Sequence, residues 1–141
     1  MIRQAEISDL PEIVRMGILF ADSVGIPFDY DTTLETAGKV MSSPDSVLLV
    51  GGGTMAAAVT YPLFLNNNIK IAQELLWWVD KDKRGTGVGG DILLALEEWA
   101  KSVDADKLIM MSMHDTSPDF IDQVYLRNGY QPFEKTFVKD F

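Results

Sequence analysis

The stretch that decides the fold runs from Glu74 to Ser102 and reads ELLWWVDKDKRGTGVGGDILLALEEWAKS. Its first part, up to Val79, is apolar and predicts a strand, and a charged, glycine-rich turn follows. After Gly90 the apolar residues recur at helical spacing, which predicts an amphipathic helix. A glycine-rich turn between a strand and a helix leaves unpaired backbone N–H groups at the helix start. Those groups suit a phosphate or pyrophosphate.

The composition is typical of one globular domain spanning 1–141, with 47% hydrophobic and 23% charged residues. The chain has no cysteine, which excludes disulfides and a cysteine nucleophile, and we predict no metal site. The net charge of −9 argues against a nucleic-acid partner and favours a cationic substrate such as an amine. The N-terminus lacks the features of a signal peptide, and the uncharged stretch 47–65 is broken by glycines and a proline. We therefore expect a soluble, cytoplasmic protein with no membrane partner.

Periodicity and turn residues predict the other elements. We expect a first helix opened by a capping box of Asp9 and Glu12, a second helix capped by Thr32 or Thr33, and a turn at 66–68. The predicted strands lie at 2–5, 46–50, 54–61, 69–79, 107–113 and 133–141, and a last helix follows Ser117-Pro118. The order, β-α-α-β-β-β-α-β-α-β, predicts an α+β fold. It has a mixed, mostly antiparallel sheet with flanking helices and a central βαβ unit.

Two signatures compete for the phosphate site. The string Gly85-x-Gly87-x-x-Gly90 matches the dinucleotide fingerprint, and Asp115 ends the next strand. In that fingerprint the first glycine follows the strand almost directly, whereas five polar residues, 80–84, intervene here. Only 26 residues follow Asp115, too few for the remaining parallel units of a doubly wound sheet. We therefore disfavour the dinucleotide interpretation. A P-loop is excluded because no Gly-Lys-Ser/Thr follows.

The alternative pattern is Arg84-x-x-Gly87-x-Gly89, five residues beyond a strand-ending valine. It resembles the signature of the GNAT superfamily of N-acyltransferases: glutamine or arginine, two residues, glycine, one residue, then glycine or alanine. The stretch from Val124 to Tyr130 is similar to the helix of that family that ends in tyrosine, three residues, glycine and an aromatic. The resemblance covers nearly the whole chain. The run of tryptophans before Val79 looks most like small members encoded by tailed phages.

The resemblance implies an N-acetyltransferase that transfers the acetyl group of acetyl-CoA directly to a primary amine, whose identity the sequence leaves open. Acetyl-CoA would lie between the strands 69–79 and 107–113. The backbone near Trp77, Trp78 and Val79 would pair with the pantetheine arm as an added strand would. The residues predicted to bind the pyrophosphate are Arg84, Gly85, Thr86, Gly87, Val88 and Gly89. The same loop can also be interpreted as a solvated turn entering an ordinary helix.

Two catalytic residues are implied by the resemblance. Tyr125 would protonate the leaving thiolate as general acid, and its alternative role is in the apolar face of its helix. Glu74 would accept the proton of the amine, directly or through water. Its register differs by one residue from the commonest family spacing, so a β-bulge would be needed to aim it inward. An outward-facing strand residue is the alternative.

Other candidates are weaker. His114 and Asp115 end a strand near the expected acceptor cleft, where a surface or capping role is favoured over a base. The loop 28–31 is either an acceptor contact or a solvated loop. Trp99 and the methionines of 110–113 are predicted to be core. Thr86 and Pro118 depart from the residues common in the family. A non-catalytic interaction or virion module that binds CoA without turnover is therefore the competing function. An edge strand near the C-terminus could form a homodimer.

Overall fold

The computed structural model describes residues 1–113 and 118–141, and the chain divides into two compact units, Met1–Met110 and Met111–Phe141. The candidate residues His114 and Asp115, and Ser117 at the expected helix start, lie outside the described residues. The strands are β1 (Arg3–Gln4), β2 (Ser46–Gly51), β3 (Thr54–Leu63), β4 (Asn66–Val79) and β5 (Lys107–Ile109). The helices are α1 (Leu10–Val24), α2 (Tyr30–Ser42), α3 (Val88–Ser102) and α4 (Pro118–Arg127).

The first unit is built on one five-stranded sheet in the order β1-β2-β3-β4-β5. The neighbours from β1 to β4 pair antiparallel, and β4 pairs parallel with β5. Parallel neighbours need a crossover connection, which α3 provides. The α+β class, with its mixed, mostly antiparallel sheet and central βαβ unit, is confirmed.

Helices cover both faces of this sheet because alternate side chains along each strand point to opposite sides. One buried cluster joins the sheet to α3 and comprises Val47, Leu49, Ala56, Ala58, Ala72, Ile92, Leu96, Trp99 and Ala100. The other joins the sheet to α1 and α2 and comprises Ile13, Met16, Ala37, Leu48, Val50, Met55, Ala57 and Trp78. The core role predicted for Trp99 is confirmed, whereas Met111 and Met113, at 40% and 45% exposed, are not core.

Asp9 stands at the N-cap of α1 as predicted, but its capping box with Glu12 and the cap at Thr32 or Thr33 were wrong. The carboxylate of Asp9 turns back to accept from Arg3 at 2.7 and 2.9 Å and from the Glu6 N–H at 2.8 Å, so it forms its capping box with Glu6. The second helix begins at Tyr30, because the Asp29 carboxylate accepts the Thr32 N–H at 2.8 Å. Most of the segment 28–31, for which an acceptor contact and a solvated loop were the two interpretations, is therefore a helix cap and first turn.

Three predictions about strands were also wrong. The β3–β4 turn lies at Phe64 and Leu65, because the ladder already pairs Leu63 with Asn66, so 66–68 belong to β4. The fifth strand covers 107–109 rather than 107–113, because its ladder with β4 ends there. Residues 128–141, all described, contain no strand, although 133–141 has a strand-like composition. A strand needs a neighbour to satisfy its backbone groups, and composition alone does not supply one.

The described parts of the second unit are residues 111–113, α4 and the segment that follows it. None of the helices in the described ranges has both the length and the apolar run needed to cross a membrane.

Candidate functional site

The site residues of the first unit are arranged by β4, which carries a β-bulge at Leu75. Ala58 of β3 pairs with Glu74 and Ala57 pairs with Leu76, so Leu75 is the extra residue. Because Glu74 lies opposite Ala58, it shares the sheet face that packs on α3, and it is only 5% exposed. The bulge that the register of Glu74 required is therefore present, and the alternative of an outward-facing residue is wrong.

The bulge also sets the directions of the two tryptophans. Trp77 packs with the α3 cluster, whereas Trp78 is 5% exposed within the α1–α2 cluster and makes an edge contact with Phe20, with ring centroids 6.4 Å apart. The side chain of Trp78 thus belongs to the core. Any contact of Trp78 with a ligand would use its main chain.

The ladder between β4 and β5 covers the pairs Ile71↔Lys107, Ala72↔Leu108 and Gln73↔Ile109 and then stops. Beyond it β4 continues to Val79, still paired with β3 on its other side. Glu74 is the first residue past the end of the ladder. The two parallel strands thus leave each other at the level of this buried carboxylate.

The loop between β4 and α3, taken together with the first turn of α3, has two parts. We call residues 80–84 the anchored segment and residues 85–90 the open segment. In the open segment Gly87 precedes α3 with φ +94°, a backbone conformation that favours glycine, and a Cβ built there would meet nothing within 4 Å. The first helical hydrogen bond runs from the Asp91 N–H to Gly87 O at 3.1 Å.

The start of α3 is bare. No side chain caps it. Among the residues that the structure describes, no hydrogen-bond acceptor is found for the N–H groups of Gly85, Gly87, Val88, Gly89 and Gly90. These donors and the positive end of the helix dipole lie together, and an anion is the group that both would stabilise.

The anchored segment is tied down at Asp80, which is 9% exposed. Its carboxylate accepts from Arg15 of α1 at 2.5 Å and from the indole N–H of Trp78 at 2.8 Å. Its N–H donates to Gly53 O at 2.8 Å. Burial alone would raise the pKa of Asp80. The hydrogen bonds from Arg15 and Trp78, helped by the charges of Arg15 and Lys83, outweigh burial and hold the pKa below its ordinary value.

Arg84 closes the anchored segment on the same tryptophan. Its guanidinium lies 5.1 Å from the ring centroid of Trp78, and its Nε donates to Val79 O at 3.0 Å. In this structure the guanidinium is therefore engaged with the protein itself. In the open segment, Thr86 donates its N–H to Lys83 O at 3.2 Å and its hydroxyl to the same oxygen at 2.5 Å.

A second glycine-rich turn, Gly51 to Gly53, packs closely against this loop and the start of α3. A Cβ on Gly52, where φ is +61°, would come within 3.0 Å of a Val88 methyl group at the start of α3. A Cβ on Gly53 would come within 3.0 Å of both the Asp80 carboxylate and the Lys83 side chain. The sequence suggested only a hairpin turn here. Three successive glycines beside a second glycine-rich loop were the signal for this close approach.

In the second unit, Tyr125 lies on α4 and is 8% exposed. Its hydroxyl donates to Met111 O at 2.6 Å, and its ring lies 5.5 Å from that of Tyr130. The Tyr130 N–H donates to Tyr125 O at 3.1 Å and the Gly129 N–H to Leu126 O at 3.2 Å, with Gly129 at φ +85°. This pattern is a Schellman helix end. It explains why a glycine and an aromatic follow Tyr125 at this spacing.

The first unit thus brings together Glu74, the end of β4 and the predicted pyrophosphate-binding residues. Tyr125 lies in the other unit. The parts that Asp80, Arg15 and the Gly51–Gly53 turn play in holding this loop were not predicted from the sequence.

No family model matches the chain, and no curated protein matches it. Solved structures do match it over its full length. A GNAT family acetyltransferase from Staphylococcus aureus is 18% identical, with 98% of its chain covered and a TM-score of 0.74. A ribosomal-protein-alanine N-acetyltransferase from Brucella melitensis is 16% identical, with 98% covered and a TM-score of 0.74. The chain has the GNAT fold.

The GNAT fold is shared by proteins with other names. A transcriptional regulator from Bacillus halodurans is 18% identical to this chain, with 99% of its own chain covered and a TM-score of 0.81. Likeness at these identities establishes the architecture. In this GNAT fold the Arg84-x-x-Gly87-x-Gly89 motif spans the end of the β4–α3 loop and the first turn of α3, between a strand and a helix as the sequence predicted.

Proposed function

We propose that this protein is an acetyl-CoA-dependent N-acetyltransferase that transfers the acetyl group directly to a primary amine. The observation that carries the proposal is the bare start of α3 beside the end of β4, within a GNAT fold. Acetyl-CoA supplies a diphosphate for the main-chain donors and a thioester as the acyl donor. The acidic chain, with a net charge of −9, favours a cationic amine as acceptor.

The diphosphate would be bound within the predicted residues Arg84 to Gly89. The N–H groups of Arg84 and Thr86 donate to Lys81 O and Lys83 O, so the donors would be those of Gly85, Gly87, Val88 and Gly89. Because several of these donors lie at one helix start, they would bind an anion without an arginine fork. The pantetheine arm would follow the backbone of β4 from Trp77 to Val79, past the point where the ladder with β5 ends. In this proposal the coenzyme is bound by main-chain groups. The Arg84 guanidinium is not needed for this, because it contacts the Trp78 ring and donates to Val79 O.

In the reaction the neutral amine attacks the thioester carbonyl, an amide bond forms and the carbon–sulfur bond breaks. The proton lost by the amine would go to Glu74 or to a water that it holds, because Glu74 is a buried carboxylate at the end of the ladder. The leaving thiolate would take its proton from Tyr125. The Tyr125 hydroxyl now donates to Met111 O, so this role requires it to exchange that hydrogen bond.

The test is release of free CoA thiol from acetyl-CoA across a panel of polyamines, aminoglycosides, α-amino peptides and lysine peptides. Wild-type protein should release thiol with at least one amine. Tyr125→Phe should reduce kcat by about 100-fold or more while calorimetry still detects CoA binding. Glu74→Gln should lower kcat while calorimetry still detects CoA binding. No turnover with any amine, together with retained CoA binding, would instead favour a binding module.

That module is the second candidate: a GNAT-fold interaction or virion protein of phage origin that binds CoA without turnover. Two observations favour it. A structurally similar protein is named a transcriptional regulator, and the Tyr125 hydroxyl is occupied by a main-chain oxygen. A homodimer belongs to the same proposal. Light scattering with and without CoA would test both the dimer and its dependence on the ligand.

A further inference from the structure

We infer that Asp80 is a positioning residue for the diphosphate-binding loop and that Arg15 of α1 holds the Asp80 carboxylate in place. The inference rests on the proposed function, because it concerns how the same loop is made ready for CoA. No contact of Asp80 or Arg15 with the coenzyme is part of it.

Asp80 joins four parts of the first unit at the point where β4 ends. Its carboxylate accepts from Arg15 on α1 and from Trp78 on β4. Its main chain donates to Gly53 O in the β2–β3 turn and accepts the Lys83 N–H at 2.9 Å. The direction in which the chain leaves the strand is therefore fixed from several sides before the open segment begins.

Arg15 is itself held in place. Glu12, one turn earlier on α1, accepts from it at 2.6 and 2.9 Å. The hydrogen bonds to both carboxylates raise the pKa of Arg15, so it stays charged at every working pH. The result is a chain of charge-assisted bonds from Glu12 through Arg15 to Asp80 and on to the Trp78 indole. The second of these links spans 65 residues of sequence.

Trp78 connects this chain to the motif. Its indole N–H is bound by Asp80, and its ring face carries the Arg84 guanidinium. Arg84 is the first residue of the motif, and the open segment starts at the next position. Asp80 therefore sets the rotation of the ring next to the open segment, and its main-chain bonds with Gly53 and Lys83 set the path of the chain that enters this segment. Pre-set donors bind an anion more tightly than donors that must first be ordered.

For Asp80→Asn the inference predicts a change in CoA affinity that is opposite in sign to the change expected from charge alone. CoA is strongly anionic, so removing a negative charge near it should tighten binding, and removing a positive charge should weaken it. If Asp80 positions the loop, Asp80→Asn must weaken CoA binding in spite of the favourable charge change. Arg15→Gln must weaken it as well, although Arg15 belongs to α1.

The experiment measures CoA affinity by calorimetry at a temperature where every variant is folded. We expect about tenfold weaker binding for Asp80→Asn and for Arg15→Gln, and no further loss in the double variant, because both substitutions break the same link. The matched control is Asp82→Asn, an exposed carboxylate in the same segment, which should bind CoA as well as wild type or slightly better.

A purely structural role would lower the melting temperature and leave the CoA affinity of the folded protein unchanged. A second readout separates the roles further: binding of pantetheine, which lacks the diphosphate, should be the same in wild type and variants. Equal CoA affinities in wild type, Asp80→Asn and Arg15→Gln overturn this inference alone. No CoA binding by the wild-type protein overturns the proposed function and this inference with it. Glu12→Gln, which removes a negative charge at an exposed side chain and releases Arg15, decides the matter if Asp80→Asn fails to fold: weaker CoA binding supports the inference, and equal or tighter binding overturns it.

Discussion

The two parts of the β4–α3 loop differ in how they are held. The anchored segment is fixed by side chains from α1 and β4 and by a main-chain bond to the β2–β3 turn. The open segment presents glycines and unpaired main-chain donors. The contrast shows how a short loop can be fixed in position and still present free donors. Because side-chain contacts hold residues 80–84, residues 85–90 can leave their N–H groups unpaired for a ligand. Four substitutions test this division, each through the free energy of unfolding and three of them also through CoA affinity.

The largest effect is expected from Gly87→Val in the open segment. A branched side chain at φ +94° costs about 1–2 kcal/mol of unfolding free energy, and it would project where an anion must approach. Loss of two charge-assisted hydrogen bonds should weaken CoA binding by about 100-fold. The matched control is Gly90→Ala, a helical glycine with open space around it, which should raise stability slightly and keep affinity. Equal effects of the two substitutions on CoA affinity would contradict the assignment of the backbone N–H groups around Gly87 as anion donors.

The next effect is the loss of stability in Asp80→Asn. The amide keeps one acceptor oxygen for two donors, so we expect a loss of about 2 kcal/mol at neutral pH. The pKa of Asp80 is lowered in the folded protein, so its stabilisation is complete above the ordinary aspartate pKa of about 4 and is lost as pH falls through the lower folded value. Urea unfolding from pH 7 to pH 3 should therefore show the gap between wild type and variant shrinking below about pH 4. A difference in unfolding free energy that stayed constant down to pH 3 would show that the charge of Asp80 does not contribute to stability.

A smaller effect is expected from Trp78→Phe. The ring that carries Arg84 remains, and the N–H bond to Asp80 is removed, at a cost of about 1 kcal/mol. Chemical unfolding gives the stability, and calorimetry should show CoA affinity falling less than in Asp80→Asn. An affinity loss larger than that of Asp80→Asn would assign the positioning to Trp78 itself.

The smallest effect is expected from Arg84→Gln. The guanidinium is engaged with the Trp78 ring and Val79 O, so its loss should cost about 0.5–1 kcal/mol of stability and change CoA affinity by less than about threefold. Lys83→Gln, at the neighbouring cation, is the comparison variant. A tenfold loss of affinity in Arg84→Gln would mean that this side chain leaves the tryptophan to bind phosphate.

The sequence predicted the open segment and missed the contacts of the anchored one, for a physical reason. The strand, the glycine turn and α3 are contiguous, so local periodicity and glycine spacing were sufficient. Asp80 was interpreted as one charge in a polar turn, because its partner Arg15 is 65 residues away and nothing local indicates the pairing. The turn at Phe64 and Leu65 was missed because three asparagines beside it are the usual turn residues.

The fold class followed from the order of elements, whereas strand ends depended on partners. β5 stops where its ladder stops, and 133–141 stays irregular although its residues favour a strand. The bulge at Leu75 could be predicted only because Glu74 was out of register with a known pattern. Its position is set by the pairing of Ala57 and Ala58 on the next strand.

The extra residue of β4 brings two side chains onto one face of the sheet. Glu74 and Trp77 are three positions apart, so strict alternation along a strand would place them on opposite faces. Because Leu75 is the extra residue, Glu74 lies opposite Ala58 and Trp77 opposite Ala56, and both face the cluster that packs on α3. Deleting Leu75 would therefore leave the acid and the indole on the same face while removing the irregularity from the path of the strand.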